Sequence, residues 1–102
     1  MFGKDFMKKL HQAQEALVKV QAKLTEMRIE FTSGGGMVKV VMNGKKDILD
    51  MHIDPQVVNP GDVEMLQDLI VAALNGASAK VEEELQGQFG DLQGMMGDTE
   101  IQ

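Results

Sequence analysis

Residues 37–53 read MVKVVMNGKKDILDMHI, and this stretch decides the fold. Val38, Val40 and Val41 make Met37 to Met42 a β-rich run, because branched side chains pack well on a pleated surface. Asn43-Gly44 follows, a pair suited to a two-residue type I′ turn in which both central residues need positive φ. From Lys45 to Ile53 the chain returns with period two. Leu49, Met51 and Ile53 share one face, and Ile48, Asp50 and His52 the other. Asp54-Pro55 ends the run, since proline cannot donate to a ladder. Upstream, Ile29 and Phe31 alternate with Glu30 and Thr32 before Ser33 and Gly34 to Gly36 break the chain. Three antiparallel strands in a meander are predicted.

Helices flank this meander. Lys4 to Arg28 holds neither Pro nor Gly and is rich in Lys, Gln, Glu, Ala and Leu, all good helix formers. Phe6, Leu10, Ala13, Leu17, Val20, Leu24 and Met27 recur at spacings of four and three, a heptad seam. Such a seam could lie on the chain's own sheet or on a second copy. Its length exceeds what short strands of about 3.3 Å per residue could cover, so part of it is expected to meet a second copy. Residues 59–86 read as a second helix, with Asn59 as N-cap, Pro60 first and Asp62 as the acid of a capping box. Leu66, Leu69, Ile70, Ala73, Leu74, Ala77 and Val81 make its apolar stripe, and Ala72, Ala73, Gly76, Ala77 and Ala79 permit close approach to the sheet. Glycines at 87, 90, 94 and 97 mark a tail. The predicted organisation is one α+β domain over residues 1–86, ordered α-β-β-β-α, and a flexible Gly-rich tail over 87–102. Both helices are expected on one face of the three-stranded antiparallel sheet. Val38, Val40 and Met42 on one side of the middle strand, with Met37 and Val41 on the other, suggest that both faces bury something. Leu10, Leu17, Val20, Leu24, Val38, Val40 and Met42 are therefore the expected dimer contacts.

Composition excludes several classes of function. With no cysteine there are no disulfides, no thiol catalysis and no Cys-ligated metal. His11 and His52 stand 41 residues apart, and His52 beside Asp50 or Asp54 falls short of a metal set. Gly34 to Gly36 lack the Lys-Ser/Thr of a phosphate loop and precede a strand. Ser33 and Ser78 have no base nearby in sequence. Only four phenylalanines supply aromatic surface, too few and too scattered for stacking on single strands. No catalytic residue, metal or cofactor is expected. No apolar run approaches the roughly 18 residues of a membrane span, and Met1 to Leu10 lacks a signal-peptide core, so a cytoplasmic protein without membrane contact is expected.

Charge is the more telling property. Residues 1–51 carry nine cations against six anions, +3, and residues 52–102 one against ten, −9, for a net −6. The net charge argues against a polyanionic partner, whereas the layout could still present a basic half to one. At 100° per residue Lys4, Lys8, Lys19 and Lys23 fall within an arc of about 100° away from the seam. Lys9 lies nearer the seam and Arg28 ends the helix. Such a stripe suits phosphates, each contact releasing counterions. It equally suits a solvated face, because Asp5, Glu15 and Glu26 share that side and Glu15 with Lys19 is spaced for an ion pair. Lys39 in the strand and Lys45 and Lys46 at the hairpin could add to the basic surface. Arg28 is the only arginine, so backbone and shape recognition is a more economical reading than direct base readout.

Three features together carry a family resemblance. Met7-Lys8-Lys9 and Gln12-Ala13-Gln14 stand in the first helix. Gly35 to Val40 with Asn43-Gly44-Lys45 make the strand and turn. Ile53-Asp54-Pro55, Pro60, Asp62 and the run from Met65 to Asn75 follow. Over about residues 2–86 the chain resembles the YbaB/EbfC family of bacterial nucleoid-associated proteins. The resemblance implies a tight homodimer whose helices project like tweezer arms. It also implies double-stranded DNA binding in the nucleoid and no enzymatic activity. The alternative is a protein-interaction module acting with replication or recombination factors, DNA contact being incidental.

Overall fold

The computed structural model describes the backbone of residues 3–101 and the side chains of residues 3–88. Helix α1 is Lys4–Glu26. Strands β1 (Ile29–Ser33), β2 (Val38–Met42) and β3 (Ile48–Ile53) follow, and helix α2 is Val63–Ile101. Short 3₁₀ turns at Gly34–Gly36 and Pro55–Val57 link them. The strands form one antiparallel sheet in the order β1-β2-β3, so the predicted α-β-β-β-α order and α+β class hold. The helix predicted to end at 86 continues to Ile101, across Gly87, Gly90, Gly94 and Gly97. The side chains of Phe89, Leu92, Met95 and Met96 in the expected tail lie outside the described residues.

Only one helix covers the sheet, which corrects the expectation of two. Among the described residues the core joins Ile29, Val38, Val40 and Met42 of the sheet to Ala73, Ala77 and Val81 of α2, with Val57 from the second 3₁₀ turn. Val38, Val40, Ala73, Ala77 and Val81 are wholly buried, each valine removing apolar surface worth roughly 1.5–3 kcal/mol from water. Val38, Val40 and Met42 are therefore enclosed within the protomer and are not free for the dimer contact expected of them. Their side of β2 is the side α2 occupies. The expectation that both faces bury something holds in part: on the face away from α2, Val41 is buried at 6% exposure. Met37 stands in the turn before β2 and packs on the same core. Around Val41 that face carries the cross-strand rungs Thr32-Lys39-His52 and Glu30-Val41-Asp50, otherwise polar.

Close approach of α2 rests on its small residues. Ala73 and Ala77 are fully buried, and a Cβ at Gly76 would come within 2.1 Å of the Phe31 ring. Ser33 adds a hydrogen bond from its hydroxyl to the Leu69 carbonyl (2.6 Å). The start of α2 differs from its predicted form. Asn59 Oδ1 accepts from Gly61 N (2.9 Å) and Asn59 O from Asp62 N (2.9 Å), making a turn through Pro60. Asp62 is the true cap, its Oδ1 accepting from Met65 N at 3.1 Å.

The central hairpin also departs from its predicted turn. Among the described residues the positive φ values belong to Gly34, Gly35, Gly36 and Lys46, and Gly44 is not one of them. Lys46 N donates to Asn43 O and Asn43 N to Asp47 O, both at 3.0 Å. The loop is thus Gly44 to Lys46, three residues with the left-handed one last, a common alternative to the two-residue turn. A bulge follows, because Met42 pairs with Ile48 while Val41 pairs with Asp50. Leu49 is the extra residue, and it is exposed rather than aligned with Met51 and Ile53 on the core.

Candidate nucleic-acid interface

Helix α1 stands clear of the body as an arm. None of its residues is buried, and only Leu24 is half-buried. Its heptad seam is on the surface, with Leu10 44% and Leu17 63% exposed and Val20 37%. A lone helix in water gains little from such a stripe, since most helical stability comes from packing an apolar face. The opposite side carries Lys4, Lys8, Lys19 and Lys23, all exposed, as are Lys9 and Arg28. A shallow groove on this side is lined by Lys4, Met7, Lys8, His11, Gln12 and Glu15, so charged and uncharged groups share it.

The base of the arm is seated on the hairpin. Gly44 N donates to Leu24 O at 2.8 Å. Gly44 and Asn43 are both buried, although they sit at a hairpin tip, and Asn43 is only 2% exposed. Asn43 Oδ1 accepts from Lys45 N (2.9 Å) and Asp47 N (3.0 Å), while its Nδ2 donates to Asp47 Oδ2 (3.2 Å). Met27 caps α1 in an extended conformation (φ −63°, ψ 144°) and turns the chain into β1, so the helix ends at Glu26, two residues before the predicted end at Arg28.

Ion pairs divide the candidate cations. Lys39 Nζ lies 3.3 Å from Glu30 Oε1 on the open sheet face. Lys46 pairs with Glu82 of α2. Among the described residues Lys4, Lys8, Lys9, Lys19, Lys23, Arg28 and Lys45 carry no such pair, and the Glu15–Lys19 pair allowed by spacing is not formed. Lys80, which sequence reasoning passed over, donates to the Glu30 carbonyl at 3.0 Å and ties α2 to β1. The hydrogen bond from Lys46, and next its charge, hold the Glu82 carboxyl below its ordinary value of 4.5. A lowered carboxylate favours the folded state above that ordinary value, and the contribution is lost as pH falls through the lowered one. Carbon-13 titration of Glu82 is expected to show a midpoint below 4.5 that Lys46→Met returns upward. An unshifted midpoint in the parent chain would refute the pair.

No group of three or more His, Cys, Asp or Glu that could hold a metal exists among the described residues. No described helix is long and apolar enough to cross a membrane. The arm, its cations and its seat are what the fold offers to a partner. Residues 2–96 match the sequence profile of the YbaB/EbfC DNA-binding family. The chain belongs to that family. A nucleoid-associated protein of Koribacter versatilis is 46% identical over 85 residues, covering 83% of this chain and 84% of the relative. Another, of Clostridium novyi, is 46% identical over 90 residues, 88% of this chain and 79% of the relative. A crystal structure of an uncharacterized protein from Helicobacter pylori superposes with TM-score 0.73 at 26% identity, over 91% of this chain and 98% of that one. The α1-sheet-α2 arrangement is thus shared by a solved structure. For a member of a DNA-binding family, the sorting of cations into paired and unpaired is the useful result. The signal for it was hidden, because Lys46 and Glu82 lie 36 residues apart.

Proposed function

We propose that this chain binds double-stranded DNA as a homodimer in the bacterial nucleoid. It does so through phosphate and shape contacts, organising DNA with consequences for gene expression or repair. One observation carries the reading: lysines with no ion pair among the described residues, on an arm that buries none of its residues in the body. The arm holds six cations and three anions between Lys4 and Arg28, so a net −6 protein still offers a positive surface. The exposed seam of Leu10, Leu17, Val20 and Leu24 supports pairing of two copies, which would double that surface. With Val38, Val40 and Met42 in the core, the proposed pairing rests on the seam. Lys39 and Lys46 drop from the contact set because carboxylates already hold them, and Lys45 remains. The family's DNA-binding character and the names of its relatives point to binding rather than catalysis.

A salt titration on unrelated duplexes tests this. Four stripe lysines on each of two arms predict a slope of log K against log salt of about −7, at about 0.9 per phosphate. Little change among sequences is expected, since phosphates carry no base information. Failure to bind duplex DNA at about 50 mM salt, where electrostatic binding is strong, would sink the proposal. A monomer mass by sedimentation would refute the homodimer.

A further inference from the structure

We propose that the buried hairpin tip Asn43–Gly44 is the seat that sets the direction of the α1 arm, making Gly44 a positioning residue for nucleic-acid binding. The inference rests on the DNA reading for its consequence, and on geometry alone for the seat. Hairpin tips normally face water. Lys45 and Lys46 of this one do, but Gly44 is covered by Leu24 and Met27 at the end of α1. A Cβ on Gly44 would meet Met27 Sδ at 2.8 Å, Leu24 Cδ2 at 2.9 Å and Leu24 O at 3.0 Å. The last is a backbone atom, so no side-chain rotation relieves it. The Gly44 N–H holds the same oxygen at 2.8 Å, so helix and tip are joined by a hydrogen bond that a side chain at residue 44 would stretch.

Rigidity of the tip comes from Asn43, whose side chain makes three hydrogen bonds within the loop. Leverage comes from the arm. Twenty residues separate Leu24 from Lys4, about 30 Å of helix at about 1.5 Å per residue. A tilt of about 10° at the seat moves Lys4 by about 5 Å, enough to take a lysine out of reach of its phosphate. Lys23 and Lys45 are the chain neighbours of the two residues that this hydrogen bond joins.

Gly44→Ala tests the seat without changing any charge. The expected result is unchanged helix content by circular dichroism and at least a tenfold loss of duplex affinity. The salt slope should be shallower by about two, as fewer lysines reach a phosphate. A shallower slope separates mispositioning from simple destabilisation, which lowers the active fraction and leaves the slope alone. The chain has no cysteine, so a spin label on Gln12→Cys reports the arm directly, and its mobility is expected to rise. Should Gly44→Ala not fold, Met27→Ala removes the thioether over Gly44 and is expected to give a smaller change in the same directions. Wild-type slope and label mobility in the folded variants would overturn the proposal. If the parent chain binds no duplex at all, the DNA reading fails, and label mobility alone then decides whether the seat holds the arm.

Discussion

Gly76→Ala is expected to destabilise the protein by about 2 kcal/mol and to lower its melting temperature by about 10 °C, against the usual trend for helices. In an open helix this substitution stabilises by up to about 1 kcal/mol, because glycine loses more backbone entropy. Gly76 is not open. Its Cβ would stand 2.1, 2.4 and 2.5 Å from three atoms of the Phe31 ring, which packs against the core that holds the buried valines of β2. Either the ring leaves its place or α2 lifts from β1, and overpacking of this kind costs about 1–3 kcal/mol. Gly87→Ala is the control, since nothing lies within 4 Å of its Cβ, and it should raise the melting temperature slightly. In a Phe31→Leu background Gly76→Ala should lose most of its cost, giving a coupling measurable by a double-mutant cycle. Thermal unfolding at fixed protein concentration reads the parent and every variant. A Gly76→Ala variant more stable than the parent would show that the helix does not sit against Phe31.

Lys8→Glu combined with Lys23→Glu is expected to reduce duplex affinity at least 100-fold near 100 mM salt. It turns the arm from +3 to −1. With two phosphate-binding lysines removed from each of two arms, the salt slope should fall by about 3 to 4. Both lysines are exposed and have no ion pair among the described residues, so folding should change by no more than about 0.5 kcal/mol. Melting temperature and helix content therefore separate lost binding from lost structure. The loss should be similar on unrelated sequences, because lysine-phosphate contacts carry no base information. An affinity within threefold of the parent would mean that the stripe is only a wetted face.

The apolar stripe of α2, the alternation in β1 and the β-branched run of β2 were all readable because each is a local period. Misreadings cluster where a local signal competes with a distant contact. Asn43-Gly44 carries a strong two-residue turn signal. Yet the glycine is there to admit the end of α1, and the left-handed residue is Lys46. Asn59 looks like a cap, but it makes the preceding turn and Asp62 caps the helix. Nine cations in the first half gave the candidate surface, while nothing in their spacing marks Lys39 and Lys46 as held by carboxylates.

By itself the sequence determined the order of elements, the strand pairing, the apolar face of α2 and a basic stripe opposite a heptad seam on α1. Those follow from periods of 2 and 3.6 residues, which depend on neighbours in the chain. The tertiary structure decided which helix covers the sheet, which valines and methionines enter the core, which lysines remain unpaired and where the arm is seated. These depend on pairs such as Gly76 with Phe31, Lys46 with Glu82 and Gly44 with Leu24, brought together across 20 to 45 residues. A local period cannot encode the distance between two such groups, and that distance separates a solvated basic face from a positioned one.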